Sequence, residues 1–264
     1  MRHSIFFAPP RRGVKDEIGV AGIAINTAII AIVLALVFYV AFSRLNYRFN
    51  WESVWRYRGN LLRGFMMTIM ISAFSLLLSV AIGTVFGLGQ RSHFLPLRFL
   101  SRTYVEGIRG TPLLVQILIF FYVVANAFGV SNRYVVGIVI MSLFSGAYVS
   151  EIIRSGVESV AASQLESARS LGLTRIQTYR YIIFPQVITR ILPPMTGQFA
   201  SLIKDSSLLS IIAVNEFTQM AREVNANTFS TLESYIPLAI GYLALTLPVS
   251  MLTKQLERRY AYAD

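Results

Sequence analysis

The side chains able to do chemistry in this sequence of 264 residues are few, and several sit where charge is rare. Lys204 and Asp205 lie side by side in the apolar run Leu192–Val214. A charge at mid-bilayer costs roughly 2.5–3.5 kcal/mol on insertion scales, so it faces a cavity or a partner. Adjacent residues point about 100° apart around a helix, and the two charges cannot share one direction. One arrangement aims Asp205, with Ser201 a turn earlier, into a pathway while Lys204 anchors on a neighbouring helix. The other uses both in helix packing, through Glu151, Glu216 or a second subunit. Glu151 and Arg154 are three apart and can pair along one helix face. Arg109, just before another apolar run, reads as an interfacial anchor. Glu216 and Arg222 could line an outer vestibule or meet a soluble partner.

None of these groups assembles into a catalytic set. With no cysteine there is no disulfide, thiolate nucleophile or Cys-based metal site. His3 and His93 both fall in polar stretches, so no imidazole metal cluster is expected. There is no GxxxxGK[ST] phosphate loop, so nucleotide chemistry has to come from another chain. An intramembrane enzyme would need a nucleophile–base pair or metal ligands inside the apolar runs, and these are missing.

The elements that position the charges are set by composition. Hydrophobic residues make up 55% of the chain and charged residues 14%, against about 25% charged in soluble domains. Mean hydropathy is +0.58. The net charge of +11 comes almost wholly from arginines placed between apolar runs, which reads as membrane loops and not as a nucleic-acid face. A membrane-spanning helix needs about 20 apolar residues. Six runs fit: Val20–Phe42, Phe65–Leu88, Pro112–Phe128, Tyr134–Ile153, Leu192–Val214 and Tyr235–Leu252. The first is too long for the core of a signal peptide and reads as a retained span. The expected fold is therefore all-α and polytopic.

Placing both termini in the cytoplasm puts 16 of the 24 Lys and Arg residues on the inner side and seven outside. The exception is the loop holding Arg44, Arg48, Arg56, Arg58 and Arg63. Its aromatics suggest an interfacial segment whose arginines reach lipid headgroups. Residues 1–60 then form a basic tail, one span and this segment, and 61–260 form the main transmembrane domain. Gly83 and Gly87 make a GxxxG pair suited to close helix approach.

The inner stretch 154–190 carries clear punctuation. Ser163 and Glu166 have the spacing of a capping box, and Thr174 and Gln177 repeat it. Gly172 is placed to close the first short helix in a positive-φ conformation, and Pro185 to end the second. A capped hairpin of this kind suits docking of a soluble partner. Capping alone would account for Glu166, with partner contact as an addition.

Glu166-Ser167-Ala168 followed by Gly172-Leu173, with Phe184-Pro185 beyond, resembles the EAA loop of permease subunits from ATP-binding-cassette importers. Arg109 to Gln116, Gly146 to Gly156 and Leu202 to Leu208 narrow the resemblance to the polar amino-acid branch, the histidine, glutamine and arginine importers. It covers about Arg63 to Arg259. Ser167 departs from the usual alanine by a small-for-small change. The first span lies outside the five-span core typical of that fold.

The resemblance implies a permease of the bacterial inner membrane, without cofactor of its own. ATP and Mg would belong to a cytoplasmic ATPase docked on Ser163, Glu166, Ser167, Ala168, Gly172 and Leu173. Further implied partners are a second permease of the same or related sequence, a periplasmic amino-acid-binding protein and the amino-acid substrate. A stand-alone secondary transporter is the alternative, but such folds carry paired internal repeats that are not evident here.

Overall fold

The computed structural model describes residues 20–44 and 47–260, and no strand occurs among them. The basic tail 1–19, with His3, lies outside the described residues. The chain divides after Phe49 into two compact units. The first contains α1 (Val20–Ser43), whose 24 residues match the expected first span. At 1.5 Å per residue it reaches about 36 Å, enough to cross a hydrocarbon core of about 30 Å.

The second unit begins with α2 (Trp51–Arg56), α3 (Arg58–Gly89), α4 (Leu95–Arg109) and α5 (Leu113–Ile119), which a π-helical turn extends to Ala125. Then come α6 (Arg133–Glu158), α7 (Ala162–Ser170) and α8 (Arg175–Thr178), the last followed by a second π-helical stretch, Tyr179–Ile183. The unit closes with α9 (Phe184–Asp205), a 3-10 stretch Ser206–Ile212, α10 (Phe217–Thr228) and α11 (Thr231–Tyr260).

α6 is the centre of this unit: 61% of its most apolar window is buried by the chain, against 28% for α3 and none for α11. α3 and α6 form the largest helix contact, and they run parallel. Ser75 Oγ donates to the Ile138 carbonyl at 3.4 Å, and further along both helices Gln90 Nε2 donates to Ser150 Oγ at 3.0 Å. The buried face of α3 is mostly small: Gly64, Thr68, Ser72, Ser75, Ser79, Gly83 and Gly87. Lipid tails are as apolar as leucine, so helices in a bilayer associate through close packing and not through hydrophobic burial. A Cβ on Gly87 would sit 2.8 Å from the Ser150 carbonyl oxygen, and one on Gly146 would sit 2.8 Å from Ile82 Cγ2. The GxxxG pair read from the sequence is thus a contact surface. Buried hydroxyls turn back on their own helix, as Ser142 does to the Ile138 carbonyl at 2.6 Å.

Four helices among the described residues are long and apolar enough to span a membrane: α1, α3, α6 and α11. A fifth span appears if α4 and α5 are taken together, but they meet at 108°. The expected clean span Pro112–Phe128 is therefore corrected: its helix is one arm of a sharp bend at Gly110-Thr111-Pro112. Pro112 takes an extended conformation there, which ends α4. Gln116 Nε2 closes the bend by donating to the Ile108 carbonyl (2.7 Å), the Thr111 carbonyl (3.1 Å) and Thr111 Oγ1 (2.7 Å). A count of six would also need α9, which starts eight residues before the expected run and gives way to 3-10 geometry at Ser206. The second hairpin helix does not stop at Pro185 as expected. A π-helical turn widens the backbone just before the proline, and α9 continues to Asp205. That wider turn relieves the ring clash and the missing N–H that would break a regular helix.

Candidate functional site

The parallel α3–α6 pair defines two ends of the second unit. The upper end holds the N-termini of α3 and α6, and the lower end holds their C-termini, separated by about 39 Å along the 26 residues of α6.

At the lower end three candidate residues come together. Arg154 Nε donates to Glu151 Oε2 at 3.1 Å, and its two Nη atoms bond Glu151 and Glu158. Arg109, arriving on α4, places Nη1 3.7 Å from Glu151 Oε2 and its guanidinium 5.4 Å from the centre of the Tyr148 ring. The row Arg109–Glu151–Arg154–Glu158 thus ties the bend to α6 while leaving every member partly exposed. Nearby, Arg190 Nη1 donates to the Ser159 carbonyl at 2.7 Å, joining α9 to the end of α6.

The segment that follows differs from its expected form at one point. α7 begins at Ala162 with Ala161 in the capping position, and no side chain caps it. Ser163 is already inside the helix, so the Ser163–Glu166 capping box does not form. Its serine is two residues too late to receive the orphan amides. Glu166 is exposed with an uncommitted carboxylate. The second box does form: Gln177 N donates to Thr174 Oγ1 at 3.3 Å, and Thr174 N donates to Gln177 Oε1 at 2.8 Å.

Between them Gly172 has φ +73, and no atom comes within 4 Å of where its Cβ would be. Backbone conformation, and not crowding within the chain, requires glycine there. Gly172 N bonds the Arg169 carbonyl (2.9 Å) and Leu173 N the Ala168 carbonyl (3.1 Å), which ends α7. Ala168 is buried and Leu173 half-buried, whereas Ser167 is exposed. Leu171 and Ile176 are 78% and 79% exposed, and Tyr179, Tyr181 and Phe184 are exposed too.

Ser201, Lys204 and Asp205 lie near the end of α9, where regular helix stops. Ser201 and Asp205 are half-buried, while Lys204 is exposed. Among the described residues neither Lys204 nor Asp205 forms an ion pair with Glu151 or Glu216. Those two carboxylates are held by other groups, Glu151 by Arg154 and Arg109 and Glu216 by the donors described below.

The upper end holds what the sequence did not disclose. Glu216, read from the sequence as a vestibule residue, a contact for a soluble partner or a packing group, is completely buried. It caps α10, accepting from Thr218 N (2.8 Å) and Gln219 N (2.7 Å). It also accepts from the Tyr242 hydroxyl of α11 (2.9 Å), and Thr68 Oγ1 of α3 stands 3.5 Å away. Three helices meet on one carboxylate because it alone can accept from all of them. The pattern Glu-x-x-Gln before an amphipathic stretch was the available signal for the cap, but nothing local pointed to Thr68 or Tyr242. Arg222 stays exposed, 3.5 Å from Ser210 Oγ. Arg133 Nη1 donates to the carbonyl of Ala213, a left-handed residue, at 2.6 Å.

Two cavities open at this end. The larger, ≈ 650 Å³, is walled mostly by apolar side chains, among them Trp51, Trp55, Phe65, Phe217 and Pro237, and is also lined by Glu52 and Arg58. The smaller, ≈ 360 Å³, is lined by Asn60, Arg63, Tyr134, Asn215 and Glu223 together with Met67 and Met220.

Comparison with known proteins agrees with this arrangement. Residues 79–262 match the family described as binding-protein-dependent transport system inner membrane component. The chain is 34% identical over 214 residues to the glutamine transport system permease protein of Escherichia coli (strain K12), covering 80% of this chain and 98% of that one. It is 37% identical over 198 residues to the L-cystine transport system permease protein of Bacillus subtilis (strain 168), covering 74% and 84%. A crystal structure of an amino acid ABC transporter with histidines superposes with a TM-score of 0.74 at 34% identity, over 81% of this chain and all of that one.

Proposed function

The chain belongs to the binding-protein-dependent transport system inner membrane components, as a permease subunit of an ABC importer. From that premise we propose that it carries a polar amino acid across a bacterial inner membrane, with both termini cytoplasmic. A second permease of the same or related sequence completes the path. The lower end docks a cytoplasmic ATPase, which holds ATP and Mg, and a periplasmic amino-acid-binding protein delivers solute at the upper end. The relatives support the solute class, since those compared are permeases for glutamine and L-cystine.

The observation that carries the coupling assignment is the segment around Gly172. It is a short helix closed by a glycine turn, with a free Glu166 carboxylate, beside large apolar side chains that nothing among the described residues covers. An exposed apolar surface rimmed by polar groups is what a protein partner covers. Ser163, Glu166, Ser167, Ala168, Gly172 and Leu173 are the proposed coupling residues. The Arg109–Glu151–Arg154 row above them is the proposed gate, because motion of α7 reaches it through the end of α6. Ser201, Lys204 and Asp205 are the proposed pathway residues, with half-buried Asp205 the group that meets solute.

The test is uptake of labelled glutamine into proteoliposomes holding the permease, its ATPase and the binding protein. Uptake is expected to require ATP and all three components. Asp205→Asn is expected to lower it with the complex still assembled. Uptake driven by an ion gradient without the ATPase would overturn the reading and favour a secondary transporter.

A further inference from the structure

The ≈ 360 Å³ cleft at the upper end has a chemical character that its neighbours lack. Its volume is near the lower limit of small-molecule pockets, roughly 300–1,000 Å³. Asn60 and Arg63 come from the first turns of α3, Tyr134 from the start of α6, Asn215 from the turn before α10, and Glu223 from α10 itself. Packing of these helices at Gly64 brings them together: a Cβ there would stand 3.0 Å from the Glu216 carbonyl oxygen, so α10 lies directly on α3.

The cleft holds one full cation and one full anion, and they are not paired with each other. Among the described residues Arg63 makes no ion pair or hydrogen bond. Glu223 accepts one bond, to Oε1 from Gln219 Nε2 at 3.1 Å, which leaves Oε2 open. The side-chain amides of Asn60 and Asn215 and the Tyr134 hydroxyl are likewise uncommitted. An unpaired guanidinium and carboxylate facing one small volume, flanked by two amides, match a solute that carries both charges on one carbon.

We propose that this cleft is a recognition site for the α-ammonium and α-carboxylate of a free amino acid. Arg63 takes the carboxylate through charge-assisted hydrogen bonds. Glu223 takes the ammonium, and the amides of Asn60 and Asn215 orient the group. The side chain of the solute points out of the cleft past the apolar lining of Met67 and Met220. Such a site holds the part common to all amino acids, at the end opposite the coupling segment, before solute reaches Asp205. The proposal rests on the amino-acid reading above, yet it can fail separately from it.

The experiment measures binding of labelled L-glutamine to the assembled permease–ATPase complex in lipid nanodiscs, without the binding protein. Wild type is compared with Arg63→Gln and Glu223→Gln, both at exposed positions where folding is not at risk. Each variant is expected to bind roughly ten- to 150-fold more weakly, the range for one lost charged hydrogen bond. Wild type is expected to discriminate against glutamine amidated at its α-carboxylate and against N-acetylglutamine. Arg63→Gln should lose the first discrimination only, and Glu223→Gln the second only. Glutamine binding unchanged in both variants, or absent in wild type, would overturn the proposal. So would variants that change only the concentration of binding protein needed for half-maximal uptake, because the cleft would then be a contact for that protein. ATP-driven glutamine uptake by wild type checks the amino-acid reading independently of these results.

Discussion

α7 and α10 are both short helices beside a span, and their first turns are treated in opposite ways. α10 is capped by Glu216, a buried carboxylate that also accepts from the Tyr242 hydroxyl of another helix. α7 starts with no side-chain cap, and the carboxylate within it, Glu166, is exposed. The free amides of α10 are satisfied within the chain, at the place where α3, α10 and α11 meet. Those of α7 are left to water or to whatever docks there. The difference separates a joint that holds the transmembrane unit together from the surface proposed above for docking.

The largest effect expected from this comparison is at Glu216. Glu216→Ala leaves the Thr218 and Gln219 backbone amides without their acceptor, while the Tyr242 hydroxyl keeps only Thr218 Oγ1, 3.1 Å away. At about 1–3 kcal/mol for each stranded group, it should cost several kcal/mol. Thermal unfolding of the purified permease in detergent, or the yield of assembled complex, should fall sharply. Tyr242→Phe removes only one donor and should cost about 1 kcal/mol. An unchanged melting temperature for Glu216→Ala would show that the joint is not structural.

An intermediate effect is expected at Gly172. A β-branched residue at φ +73 carries a local strain of about 1–2 kcal/mol, in a turn with open space around it. Gly172→Val should therefore leave the transmembrane unit folded while lowering ATPase association and transport-linked hydrolysis. If its melting temperature drops as far as that of Glu216→Ala, the contrast between the two ends is wrong.

The smallest effect on stability is expected at Glu166. With no cap to lose, Glu166→Ala should change stability by no more than about 0.5 kcal/mol. A capping box would have made the same change cost about 1 kcal/mol. Affinity for the ATPase should still fall, read by co-purification or by coupled hydrolysis. Full coupling in this variant would remove Glu166 from the docking surface.

The parts of the fold legible in the sequence were those governed by neighbours in the chain. Thr174 and Gln177 are three apart, and their mutual cap forms as read. Glu151 and Arg154 pair along one helix, and Gly172 takes positive φ where its turn predicted it. The Ser163–Glu166 box had the same spacing and failed, because a cap depends on which residue starts the helix. A shift of two residues moves the hydroxyl from the cap into the first turn. The continuation of helix past Pro185 was likewise hidden, since a π-helical turn is a backbone choice that no residue type announces.

By itself the sequence determined that the chain is a helical membrane protein and where its long apolar helices run. Hydrophobic length, residue spacing and capping chemistry act within a few residues, so the sequence displays them directly. Only the tertiary structure decided that Glu216 is a buried joint and not a vestibule charge, because its partner Thr68 lies 148 residues away in the chain. It also decided that Arg63 and Glu223 share a cleft without pairing. Contacts of that kind depend on how closely helices approach, and the stripe of glycines and small hydroxylated residues on α3 sets that distance only once α6 and α10 are packed against it.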